Sequence, residues 1–473
     1  MEDFASSGVW GMIILFSFLF GGLLAGNMIK RSIPFLKDSL IPTSVLGGTL
    51  LLIISVVYEA ITDTEFFNTA LFAGNGMSYL EIITYHTLAL GFIASSLKTN
   101  GGKLSKKRSV EVFNTGVTTV ATYLLQGIFG LGIALIVTVF FIKDFFPAAG
   151  ILLPFGFGQG TGQAMNYGGI YETWAASGKT AWGTSQSLVN GKAFGLTIAA
   201  LGFLSASFGG VIHLNIMKRH GKIKVGKKTV EGRISSEEIQ GEGEIPMQES
   251  IDKLTVQVAL IFVSYIFAYL LMFLLGKLLP GMKATIYGFN FLLGVLCATL
   301  VKIVINLLHK KNLIHREYTN NFLLTRTSNF FFDIMVVAGI AAIRLSALKS
   351  YWHILLILGI VGLVVTYAYN RIVAKMLFKD YPEEQFLAMY GMLTGTASTG
   401  IILLREADGN FKTPAADNLV YQNFPAIVFG FPMMLLATLA PSRPILTLII
   451  FVLFFSALNV ILFRSFIFKR RKK

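Results

Sequence analysis

Apolar residues run along this chain in stretches far longer than the core of a soluble helix requires. A helix needs about 20 apolar residues to cross the roughly 30 Å hydrocarbon layer of a bilayer. Eleven segments qualify: 9–29, 40–58, 79–97, 111–141, 186–217, 252–278, 284–308, 321–343, 353–376, 416–440 and 444–467. The first is longer than the ~7–15-residue core of a signal peptide, so it reads as a retained span. The pattern predicts an all-α polytopic membrane protein.

The polar positions between these segments give an orientation, because basic residues gather in loops facing the cytoplasm. Lys30, Arg31 and Lys37 follow the first span, and Lys98, Lys103, Lys106, Lys107 and Arg108 follow the third. The loop between the second and third carries Glu59, Asp63 and Glu65 and no basic residue. The N-terminus is therefore expected outside, and the basic stretch 469–473 places the C-terminus inside. Lys310, Lys311, Arg316, Arg371, Lys375 and Lys379 fit the scheme, whereas Lys277, Lys283, Arg344, Lys349 and Arg443 fall at expected outer ends. One long polar stretch, 218–250, starts basic and ends acidic and reads as a cytoplasmic linker. It divides the chain into a first repeat (1–217), a second (251–440) and an added C-terminal helix with a basic tail (441–473).

Composition agrees: 54% of residues are hydrophobic and only 14% charged, against about a quarter charged in soluble domains. The net charge of +15 is scattered over loops, which argues against a nucleic-acid partner. The 47 glycines suit helices that approach closely in lipid. The single cysteine, Cys297, excludes an intrachain disulfide and a cysteine-built metal site. There is no HExxH, no GxSxG elbow, no nucleotide-binding loop and no paired-carboxylate motif, so the chain does not read as an enzyme.

The two halves resemble each other. The third span ends LGFIASSLK and the eighth GIAAIRLSALK; after one more span each half carries a glycine-interrupted stretch, PFGFGQGTGQAMNYGG at 154–169 and YGMLTGTASTG at 390–400. Gly160-Thr161-Gly162 aligns with Gly395-Thr396-Ala397. Five spans separate equivalent points, so the second copy is expected upside down. Glycines of this kind also serve close helix packing, but two stretches at matching places, each too short for two full spans, predict re-entrant hairpins at about 147–175 and 386–408. A chain that turns inside a bilayer leaves backbone groups unpaired, which is tolerated only in protein or beside water. Such groups become ligands: helix N-termini for a carboxylate, carbonyls and hydroxyls for a hard cation such as sodium. Inverted repeats with broken helices point to a secondary transporter.

Three segments, TLALGFIASSLKTNGGKL (87–104), GFGQGTGQAM (156–165), and the run from LSALKSYW (345–352) through FKDYPEEQ (378–385) into YGMLTGTAST (390–399), resemble the bacterial sodium/glutamate symporter family. The resemblance spreads over both halves and implies an elevator-type homodimer in the bacterial plasma membrane that takes up glutamate with sodium, without a prosthetic group. The first tip departs from the family's Gly-Gly-His-Gly-Thr, having Phe157-Gly158-Gln159-Gly160-Thr161 instead; the second has Ser398 and Thr399 in place of the usual proline. The eleventh span is an addition.

The tips supply candidate substrate contacts: Gln159, Gly160, Thr161, Gly162, Gln163 and Asn166 in the first, and Gly395, Thr396, Ala397, Ser398 and Thr399 in the second. Arg405, with Glu406 and Asp408 beyond it, is an anchor for an anion or a residue of the cytoplasmic mouth, being about ten residues past the tip. Candidate sodium ligands are Thr161, Asn190, Thr394, Thr396 and Ser398. Secondary candidates are Arg326, Asn329 and Asp333, which share one helical face as a site or as a structural pair, and Gln422 and Asn423, with Lys192 and Tyr421 beside these groups in sequence order. His86 reads as a packed, hydrogen-bonded histidine. A hydroxycarboxylate or dicarboxylate symporter of the same architecture is the main alternative, and an ion channel the alternative from another class.

Overall fold

Where no water can satisfy the backbone, an apolar chain closes its own hydrogen bonds as helix. The computed structural model describes residues 6–34, 36, 41–98, 105–178, 180, 188, 190–219, 251–280, 283–314, 316–348, 350–408 and 412–467. These residues form helices and no strand. Ten of the helices are long and apolar enough to cross a membrane. They are α1 (Ser7–Ser32), α2 (Thr43–Thr62), α3 (Gly76–Leu97), α4 (Lys106–Phe140), α6 (Gly191–Arg219), α7 (Lys253–Leu278), α8 (Asn290–Lys310), α9 (Asn321–Ala341), α10 (Trp352–Leu377) and α15 (Pro444–Leu462). Between α4 and α6 stands the shorter α5 (Thr161–Ala176); between α10 and α15 stand α11 (Pro382–Thr394), α12 (Ala397–Ala407), α13 (Ala415–Tyr421) and α14 (Asn423–Ala437). The expected linker at 218–250 and the basic tail at 469–473 fall almost wholly outside the described residues.

Segment 416–440 is formed by two helices that abut at Gln422, α13 and the 15-residue α14, and Gln422 itself keeps helical backbone angles, its N–H donating to Asn418 O and its carbonyl accepting from Ala426 N. The last carbonyls of α14 are engaged from the side: Tyr167 Oη donates to Met434 O and Tyr171 Oη to Ala437 O, both at 2.9 Å. Of the eleven expected spans, ten correspond to the long helices and the remaining one to α13 and α14 together.

The chain forms two compact units, each drawn from both halves of the sequence: 1–81, 104–224 and 336–473 make the larger, 82–103 and 225–335 the smaller. In the smaller unit buried amides join the helices. Gln257 on α7 donates to Tyr318 O and accepts from Asn320 N, and Asn290 at the start of α8 donates to Tyr85 O. Lys302 closes the end of α3 by donating to Ser96 O and Lys98 O.

The larger unit holds α4, α6, α10 and both glycine-interrupted stretches, and it is assembled through side-chain-free crossings. A methyl group built on Gly150 would lie 2.0 Å from Gly130 O on α4. One built on Gly195 of α6 would lie 2.4 Å from Ala164 O on α5, and one on Gly202 2.6 Å from Thr394 O on α11. At these points backbone rests on backbone, which is how small residues bring membrane helices together.

Candidate functional site

Both glycine-interrupted stretches fold back on themselves. The first descends through short turns, Pro147–Ile151 and Pro154–Gly158, reaches Gly160, and returns as α5. Its arms are joined by the rings of Phe155 and Tyr167, stacked with centroids 3.6 Å apart. The second runs in along α11, turns at Gly395 and Thr396, and leaves along α12. Its arms touch where a methyl on Gly400 would come within 2.4 Å of Ala388 O. The two folded-back stretches span 147–176 and 382–407 and are packed among α4, α6 and α10.

The tips meet. A methyl built on Gly160 would lie 3.7 Å from Gly395 O and 3.8 Å from Thr396 Cγ2. Gly160 has φ +84° and ψ −173°, a conformation essentially confined to glycine. This lets the chain reverse directly into the first turn of α5. Both returning helices, α5 and α12, begin at this junction, and a helix start carries unpaired N–H groups and the positive end of its dipole. Thr396 caps α12 by accepting from Thr399 N at 3.4 Å, and its hydroxyl meets that of Thr399 at 3.2 Å. Thr394 Oγ1 donates back to Tyr390 O at 2.6 Å.

Among the described residues, six buried side-chain atoms have no hydrogen-bond partner: Thr161 Oγ1, Gln163 Oε1 and Nε2, Gln126 Oε1, Asn370 Oδ1 and Gln422 Oε1. A buried polar group without a partner costs about 1–3 kcal/mol. Three of the six belong to the first turn of α5, beside the junction.

The sequence-derived candidates sort by place. Gln159, Gly160, Thr161, Gly162 and Gln163 stand together at the first tip, with Asn166 buried one turn on along α5; Thr394, Gly395, Thr396 and Thr399 stand at the second tip with the exposed Ala397. Ser398 is in the first turn of α12, but its side chain lies outside the described residues. Asn190 is not brought to the tips. It precedes Gly191, which packs on Gly168, well along α5, whereas the part of α6 level with the tips is Gly195 to Gly202. Lys192 pairs with Glu81 at 2.6 Å, and its N–H donates to Glu172. Arg405, in the last turn of α12, and Glu406 are exposed, away from the tip; Asp408 accepts from the N–H groups of Lys412 and Thr413. Gln422 is buried against Met392 of α11, while Tyr421 and Asn423 flank it at the surface. In the smaller unit Arg326, Asn329 and Asp333 lie on one exposed face of α9, and His86 is bonded to Tyr265 Oη at 2.7 Å.

Two buried clusters escaped the sequence reading. Gln126 of α4 donates to Leu393 O of α11 at 3.0 Å and to Thr366 Oγ1 of α10 at 2.8 Å, while Tyr123 Oη donates to Gly158 O at 3.1 Å; α4 therefore holds both hairpins. At the base of the second hairpin, Arg371 clamps Glu383 with both guanidinium arms, and His213 of α6 bridges Glu383 and Tyr367 Oη at 2.9 and 2.8 Å. Compared with known proteins, the chain matches no family model and no curated protein sequence.

Proposed function

We propose that the protein is a secondary active transporter that takes up glutamate or a closely related anionic amino acid together with sodium. One observation carries this: two chain reversals, from opposite halves of the sequence, put their tips against each other, with two helix starts and the unpaired Thr161 and Gln163 groups at the junction. No Lys, Arg or His belongs to either tip, so an anion would be held by the N–H groups opening α5 and α12 and by the amide of Gln163, in the manner of helix-terminus anion sites. The hydroxyls of Thr161 and Thr396 and the carbonyls ending the inward arms suit sodium, which travels as cargo.

In this account the halves are inverted repeats, the larger unit carries the site in an elevator motion, and the protein works as a homodimer in the bacterial plasma membrane with its N-terminus outside and C-terminus inside. Support comes from the matching order of elements in the two halves and from the burial of both hairpins in one unit. Uptake of a panel of labelled acids into proteoliposomes tests the substrate class. Saturable uptake inhibited best by glutamate and aspartate fits; preferential inhibition by citrate or malate moves the assignment to a hydroxycarboxylate carrier, and non-saturating flux to a channel.

A further inference from the structure

The cluster joining α4 to α10 has more oxygen than the protein uses. Thr122, Gln126, Thr366 and Asn370 are all fully buried. Both amide nitrogens are engaged: Gln126 Nε2 donates to Thr366 Oγ1 and Leu393 O, and Asn370 Nδ2 donates to Thr366 O at 2.9 Å and to Thr122 Oγ1 at 3.4 Å. Their carbonyl oxygens, Gln126 Oε1 and Asn370 Oδ1, have no partner. Gln126 Oε1 points toward the first hairpin, 3.2 Å from where a methyl on Gly158 would stand.

The cluster's amide N–H groups are already engaged, so its two unpartnered oxygens have no donor left within the cluster. A cation needs only oxygens, and neutral amide and hydroxyl oxygens suit a hard monovalent ion. From this we infer that Thr122, Gln126, Thr366 and Asn370 form a monovalent-cation site in the body of the larger unit, separate from the ligands at the tips. The inference rests on the transport function proposed above and adds a coupling rule to it. The cluster contains no carboxylate, so a cation buried there lacks a compensating charge until an anion occupies the adjacent tips. Cation and anion must then strengthen each other's binding by the same factor, since coupling between two sites is reciprocal. Gln126 is the physical link, because it holds Leu393, two residues before the second tip.

Binding of radiolabelled sodium to the purified full-length protein, with and without saturating glutamate, tests this without transport. Glutamate should lower the half-saturating sodium concentration of the wild type at least ~10-fold, within the usual range of allosteric coupling. Gln126→Ala and Asn370→Ala should raise it by a similar factor while eluting as wild type on gel filtration. Asn370→Asp, nearly the same in volume, supplies the missing charge and should bind sodium without glutamate, reducing the coupling below about threefold. Unchanged sodium binding in the alanine variants, with wild-type coupling retained in Asn370→Asp, overturns the site and leaves the transport proposal standing. Glutamate binding by a wild type that binds no sodium overturns both. If the alanine variants fail to fold, Asn370→Asp alone decides.

Discussion

Substituting Gly160 by alanine tests the tip geometry with little steric complication. A methyl there would have ordinary contacts, the nearest at 3.7 Å to Gly395 O, so the cost lies in the backbone. At φ +84° and ψ −173° a residue with a Cβ is disfavoured by about 1–3 kcal/mol. If the tip keeps its shape, the fold loses that stability; if the tip relaxes, substrate binding must restore it, and at about 1.4 kcal/mol per tenfold the affinity falls by roughly 5- to 150-fold. Thermal unfolding of the purified variant and its half-saturation for uptake therefore share a fixed total. Gly132→Ala is the control: it lies in α4 with nothing within 4 Å of the added methyl, and it should stabilise the helix by about 0.5–1 kcal/mol. If Gly160→Ala matches the wild type in both measurements, the tip does not hold the conformation on which the site depends.

Thr161→Val keeps the shape of a buried residue while removing an unpaired hydroxyl, so it should leave the unliganded protein as stable or up to about 2 kcal/mol more stable, yet weaken sodium or substrate binding; a loss of stability with unchanged binding would make Thr161 structural. Glu383→Gln should lower the melting temperature, by an amount corresponding to about 3 kcal/mol, because Arg371 and His213 lose their shared buried carboxylate; an unchanged melting temperature would show that the cluster does not clamp the second hairpin.

Much of the helical framework was legible because a span advertises itself locally, as some 20 apolar residues in a row. The two chain reversals fall where glycine runs interrupt such rows. Within segment 416–440 hydropathy averages over Asn418, Gln422 and Asn423, so the junction of α13 and α14 at Gln422 does not show in the apolar pattern. Asn418 bonds Tyr381 Oη and Gln385 Oε1 at the base of the second hairpin, one turn before the junction. Gln126 and Asn370 do not stand out in the sequence for a related reason. Each is a single amide in an apolar span, and it becomes a cluster only when α4 and α10, some 240 residues apart in sequence, come together. The charges of span eight drew attention because charge stands out in an apolar run, yet the two tips are built from small and neutral residues. His213 and Glu383 follow the same logic, paired across 170 positions.

The most direct test of the central claim is accumulation of labelled glutamate in proteoliposomes under an imposed inward sodium gradient. Uphill uptake that scales with the sodium gradient and collapses when sodium is equal on both sides is the expected result. Equal uptake in potassium medium, with protons as the only gradient, would contradict it.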